Sequence, residues 1–222
     1  MPRRCSRVRA VRCYARRVPA DSADSAEVTL EALGIRLDDA DVLALRDDCI
    51  PIARRLVHAR KKVVGLLPAS GRVGVTAVGV QLGLATVEVS GTPTAYVDAN
   101  VRWPAISQIV VGTRADDDES LFATRWLRGS LALLTPPSAG DAGAGLPQLA
   151  RVIQTGGELF AHVLVDLTGF KQLGEHLAAI EMMDAVVVVA RAGLTREGDL
   201  LRIDQELPPG RSLGVLISNV RS

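Results

Sequence analysis

Aromatic residues are scarce, 3% of a 222-residue chain. The apolar 48% is made up mostly of Val, Leu and Ala, a composition that suits buried parallel strands covered by helices. Cysteine is limited to Cys5, Cys13 and Cys49, unequally spaced and without a C-x-x-C, which argues against both a disulfide framework and a metal knuckle. His58, His162 and His176 are far apart and make no metal-ligand pattern; His162, inside an apolar run, reads as a satisfied core or edge residue. No run approaches the roughly 20 apolar residues of a membrane span, and the basic start lacks the continuous apolar segment of a signal peptide. The expected location is therefore the cytoplasm, with the inner face of the membrane as an alternative. The net charge of +1 gives the molecule no electrostatic programme for nucleic acid.

That charge is unevenly placed. Arg3, Arg4, Arg7, Arg9, Arg12, Arg16 and Arg17 fall in residues 1–17 with no acid among them, so residues 1–25 read as a disordered basic arm. Residues 3–17 could meet an anionic membrane at about 1 kcal/mol per basic residue, although a solvated tail is the default. Residues 26–222 are long enough for one buried α/β domain.

The central stretch is Lys62–Thr76, an apolar strand, a glycine-containing loop and the start of a helix. This is the layout of a phosphate-binding loop, in which backbone N–H groups and a helix N-terminus surround a phosphate, a lysine neutralises its charge and a Ser/Thr hydroxyl ligates Mg²⁺. Gly71, Arg72, Gly74, Val75 and Thr76 hold the corresponding positions, but Val75 stands where the lysine belongs and Ala69 where the first glycine belongs. Arg72 is the candidate substitute cation, with a solvent-exposed side chain as the plainer reading. Ser70 and Thr168 have no flanking base that would make them nucleophiles.

Helical spacing at Val42, Leu45, Cys49, Ile52 and Leu56 predicts a helix within 38–60, perturbed at Pro51 and opened by Asp38 and Asp39. Strands are predicted at Val63–Leu67, Ala95–Asp98, Leu131–Leu134, Val163–Asp166, Ala185–Ala190 and Leu213–Ile217. Helices are predicted over Val75–Val87 and Leu149–Leu159, with a loop over Ser138–Pro147. Asp98 and Asp166 fall at carboxyl ends of strands, where open α/β sheets place ligands; capping of the following N–H groups is the competing role for each.

Ser70-Gly-Arg-Val-Gly-Val-Thr76 resembles the K-G-G-V-G-K-T loop of MinD/ParA-type ATPases, with Ser70 at the signature lysine. Asp98-Ala-Asn-Val-Arg-Trp-Pro104 resembles the I-D-x-D-x-R-x-P element of bacterial tyrosine kinases and their CpsD-like relatives in capsule and exopolysaccharide synthesis, with Asn100 at the second acid. Phe160–Asp166 resembles that family's Walker B strand, Asp184–Thr195 its D-G-V-L-L-V-V-R-A-G-x-T segment, and Leu213–Val220 its terminal strand.

The resemblance implies a P-loop NTPase-like α/β fold, a doubly wound, mostly parallel sheet with helices on both faces, and strand ends at Leu67, Asp98 and Asp166 lying side by side. It implies Thr76 and Asp98 as metal ligands if Mg-ATP binds, and Asp166 as the acid positioning the metal and the attacking group. The family's C-terminal tyrosine cluster is missing, Tyr14 and Tyr96 being the chain's tyrosines. Its E-x-x-R-x-x-R oligomerisation motif maps to Ala40, Leu43 and Arg46, with only Arg46 kept.

The expectation is a catalytically degenerate pseudo-kinase or pseudo-ATPase with no cofactor. It would regulate or scaffold a protein partner, such as a membrane polysaccharide co-polymerase or export component, and homo-oligomerisation is compatible with it. The alternatives are a divergent ATP-binding tyrosine kinase and a MinD/ParA-like positioning ATPase.

Overall fold

A computed structural model describes residues 30–31, 40–99, 105–106, 123–135 and 145–218. The basic arm, Asp38, Asp39, Asn100, Arg102 and Pro104 lie outside them.

The described chain runs α1 (Ala40–His58), β1 (Val63–Pro68), α2 (Val75–Ser90), β2 (Thr94–Asp98), β3 (Ala123–Leu127) and β4 (Leu131–Thr135). It continues with α3 (Gly145–Leu159), β5 (His162–Asp166), α4 (Thr168–Leu173), α5 (His176–Glu181), β6 (Ala185–Arg191), α6 (Glu197–Glu206) and β7 (Ser212–Ser218). The strands form one seven-stranded sheet in the order β3-β4-β2-β5-β1-β6-β7. All neighbours are parallel except β3 and β4.

Alternation along each inner strand divides the core in two. Val64, Leu66, Tyr96, Leu133, Leu164 and Val187 face the side covered by α1 and α2. Val63, Leu67, Val97, Val165 and Val188 face residues of α3 to α6, among them Leu149, Phe170, Ile180 and Ile203. Helices thus cover both faces of a doubly wound, P-loop NTPase-like α/β fold.

All the predicted strands form. The expected list omits β3, an antiparallel edge strand joined to β4 by a tight turn with Arg128 and Gly129 at φ 48° and 68°. Both central residues are left-handed, which is the geometry whose twist matches a hairpin. Helix α1 continues through Pro51. Helix α3 begins at Gly145, inside the expected loop, with Pro147 in its first turn, where a missing N–H leaves no bond unmade. Helix α2 runs past Val87 to Ser90 and stops at Gly91, left-handed at φ 64°, whose N–H bonds the Val87 carbonyl. Among the described residues no helix is long and apolar enough to cross a membrane.

Helix α2 is apolar on nearly every side, as a helix packed between α1 and the sheet must be. Its small residues set the approach distance. A Cβ at Gly83 would lie 2.7 Å from a methyl of Leu131, and one at Gly79 would overlap the ring of Tyr96. Gly79→Ala should therefore destabilise the protein by about 1–3 kcal/mol, the usual cost of overpacking, read as a lower urea midpoint. An unchanged midpoint would contradict the close approach.

Candidate functional site

The parallel register brings the site together. Asp98 on β2 pairs with Asp166 on β5, and Asp166 pairs with Leu66 on β1. The acids and the loop leaving β1 therefore meet at one edge of the sheet, beside the amino end of α2. They enclose a cavity of about 380 Å³ lined by the 70–76 loop, Asp98, Asp166, Thr168 and Lys171.

The loop is tied to β6 and β7. The Ala69 amide donates to the Val189 carbonyl at 2.8 Å, and the Ser218 hydroxyl donates to the Val73 carbonyl at 2.7 Å. Arg191 donates to the Arg72 carbonyl at 3.2 Å. Ser70, at the MinD/ParA lysine position, shares a hydrogen bond with the Thr195 hydroxyl at 3.1 Å. Arg72 and Gly74 are left-handed, at φ 58° and 78°. Gly74 is the residue type that accepts this conformation without strain, and it leads into α2 without a side-chain cap. Ala69 is absent from the left-handed positions, so its replacement of glycine strains nothing. Val75 lines the cavity and is buried within the apolar cluster on the α1/α2 side. Arg72 is exposed.

Both acids are buried and engaged by neighbouring donors. Asp98 accepts the Ile106 amide at 3.0 Å. Asp166 accepts the Thr168 amide at 2.9 Å, at the start of α4, and the Tyr96 hydroxyl at 3.0 Å. Thr76, at the start of α2, lines the same cavity. One fully buried phenol is thus held on Asp166, and the overlap at Gly79 shows why its ring fits only beside a residue without a side chain. Burial raises the Asp166 carboxyl above its ordinary 3.8, opposed by the hydrogen bonds from Thr168 and Tyr96. Burial, then the charges of Asp166 and Asp98, push the Tyr96 phenol well above 10.0, so it stays a protonated donor at neutral pH. With Asp98 and Asp166 each engaged by donors of the chain itself, the two carboxylates fit a divalent metal poorly.

The cation at the cavity is one the sequence reading overlooked. Lys171 on α4 places its ammonium 2.6 Å from the Pro68 carbonyl and 3.2 Å from the Ala69 carbonyl, at the root of the loop. Burial lowers its ionisation below the ordinary 10.5; the Glu206 carboxylate opposes that shift, Arg202 adds to it, and Asp199 opposes it again. The other lysines of the sequence, Lys61 and Lys62, stand before β1, at the opposite end of the strands.

Elsewhere, His162 donates through Nδ1 to the Lys61 carbonyl at 2.9 Å. Arg46 donates to Gln81 on α2 at 2.9 Å, and Leu43 of the same motif is exposed.

No protein-family model and no curated protein matches the sequence. Solved structures do. The BceF tyrosine kinase domain is 18% identical over 88% of this chain and 89% of its own, with a TM-score of 0.61. This chain has the fold of a bacterial tyrosine kinase domain. The VpsO kinase domain, 18% identical over 81% of this chain and 96% of its own, has a TM-score of 0.59. The kinase domain of Escherichia coli tyrosine kinase ETK, 14% identical over 76% and 75%, has a TM-score of 0.54. At these identities the likeness is one of fold, and the chemistry must be argued from the site.

The raised Asp166 carboxyl has a signed consequence for stability. Between 3.8 and its raised folded value, the native state keeps a proton that the unfolded chain has released, so the wild type loses stability as pH rises through that window. Below 3.8 both states are protonated and the penalty vanishes. Asp166→Asn removes the effect, so the variant's unfolding free energy relative to wild type should climb with pH across the window and then level off. A difference independent of pH in denaturant titrations would contradict this assignment.

Proposed function

We propose that the protein is a catalytically silent member of the P-loop fold, a pseudo-kinase or pseudo-ATPase that regulates or scaffolds another protein. The observation that carries this reading is the state of the metal and phosphate groups. Val75 replaces the lysine with buried apolar volume, and the two acids are taken up by donors of the chain, Asp166 by Tyr96 and the Thr168 amide, Asp98 by the Ile106 amide. Phosphoryl transfer depends almost wholly on positioning and electrostatics, so loss of one charge-stabilising cation costs on the order of 10³ in rate. Loss of the metal as well removes the group that would bridge the phosphates.

The partner class follows from the resemblance to the tyrosine kinases of capsule and exopolysaccharide synthesis: a membrane polysaccharide co-polymerase or export component, met at the cytoplasmic face. No resident cofactor is needed for such a role. Lys171 favours a second reading, a divergent ATP-binding kinase in which α4 supplies the missing charge.

Turnover separates the two. The wild type should hydrolyse no Mg-ATP above background and label no tyrosine in a radiolabelled-ATP assay. Val75→Lys with Ala69→Gly should strengthen ATP binding by restoring the ammonium at its place in the loop. Mg²⁺ should strengthen that binding only after Tyr96→Phe releases Asp166. Mg-dependent turnover by the unmodified protein would overturn the silent reading and establish the kinase one.

A further inference from the structure

The cavity keeps one polar feature that a merely degenerate loop would lack. Its ammonium comes from Lys171 on α4, the helix that follows β5, and two loop-root carbonyls hold it in place at 2.6 and 3.2 Å. An ammonium has three N–H donors, and these two contacts leave one N–H uncommitted among the described residues. Lys171 and Arg72 line the same cavity as the loop amides. The first amides of α2, at Val75, Thr76 and Ala77, donate to no partner among the described residues. Asp98 and Asp166, the cavity's acids, are turned onto donors of their own.

We propose that Lys171 is the anion-pairing residue of this cavity, and that it binds a phosphate group, free or carried by a nucleotide, without a divalent metal. The proposal deepens the silent-protein reading and rests on it for the absence of the metal. Lysine is scarce here, and Lys171 alone stands at the carboxyl ends of the strands. Loop amides and a nearby ammonium form a cradle for phosphate oxygens, and the charge-assisted bond supplies much of the affinity. The same site cannot easily hold Mg²⁺, because Asp166 is held by Tyr96 and the Thr168 amide and Asp98 by the Ile106 amide. Phosphate occupancy of this kind would be a regulatory input that needs no hydrolysis.

The test uses the full chain and four calorimetric titrations: inorganic phosphate, pyrophosphate and ADP, each in EDTA, and ADP with Mg²⁺. At least one of the first three should bind at millimolar concentration or below, and the arm that does so identifies the source of the phosphate. Mg²⁺ should change ADP affinity by less than about twofold. Lys171→Met should weaken binding at least about tenfold, the equivalent of about 1.4 kcal/mol, whereas Lys171→Arg should stay within a few-fold of wild type.

A readout on the wild type alone covers the case in which Lys171→Met fails to fold. Pyrophosphate or ADP should protect Lys171 from acetylation, read by mass spectrometry, and leave Lys61 and Lys62 unprotected. Absence of binding in every arm, undiminished binding by folded Lys171→Met, or acetylation of Lys171 unaffected by a bound ligand would overturn the assignment. A tenfold gain with Mg²⁺ would overturn its metal-free clause. Hydrolysis of ATP in the same samples would contradict the silent reading and leave the role of Lys171 to be judged by the protection result.

Discussion

The hydroxyl of Tyr96, 3.0 Å from a carboxylate oxygen of Asp166, decides what the carboxyl edge of this sheet can do. Its ring lies flat enough against α2 to fit only because Gly79 has no side chain. Its oxygen then reaches Asp166. A buried carboxylate and a buried phenol are each expensive without partners, and here each satisfies the other. The resulting pair is a stable interior and a poor metal site. Removing the phenol would leave a buried acceptor short of a donor, a loss of about 1–3 kcal/mol, so the arrangement is held by the folding energetics themselves.

Positive charge has moved in the opposite direction. The loop carries Val75 and Ser70 where lysines belong in the two related motifs, and each has a structural occupation: Val75 in the apolar cluster, Ser70 on Thr195. The ammonium arrives from α4, the helix that follows Asp166. Because β5 lies next to β1 in the sheet, the start of α4 sits beside the loop root, and a side chain as long as lysine spans the remaining distance to the Pro68 and Ala69 carbonyls. A fold that gathers loop, acids and helix starts at one edge offers several places from which a charge could be supplied.

The strands were legible because each is a short apolar run bounded by turn signals, and parallel burial leaves no other reading for runs such as Val186–Ala190. The edge strand β3 was not, since Thr124, Arg125 and Trp126 alternate with no continuous apolar run, and only the Arg128-Gly129 turn marked the hairpin. At the site, the strand ends that carry Asp98 and Asp166 and the helix start that carries Thr76 were visible in the pattern. It could not show that Tyr96 holds Asp166. That contact depends on which face of β2 packs on α2, and on a glycine whose role is spatial. Lys171 escaped notice for a similar reason: it belongs to no motif, and its position matters only once β5 is known to neighbour β1. The scarcity of lysine was the one signal available in advance.

On this reading the site's working charge sits on Lys171 and answers to a phosphate. The most direct measurement is the ionisation of the Lys171 ammonium itself, followed by NMR on protein labelled at the lysine side chains, with and without saturating pyrophosphate in EDTA. Burial should hold Lys171 below the ordinary 10.5 in the free protein, and a bound phosphate anion should raise it, because an adjacent negative charge favours the ammonium. Lys61 and Lys62 should not respond. A Lys171 ionisation that is unmoved by a ligand shown to be bound would contradict the account.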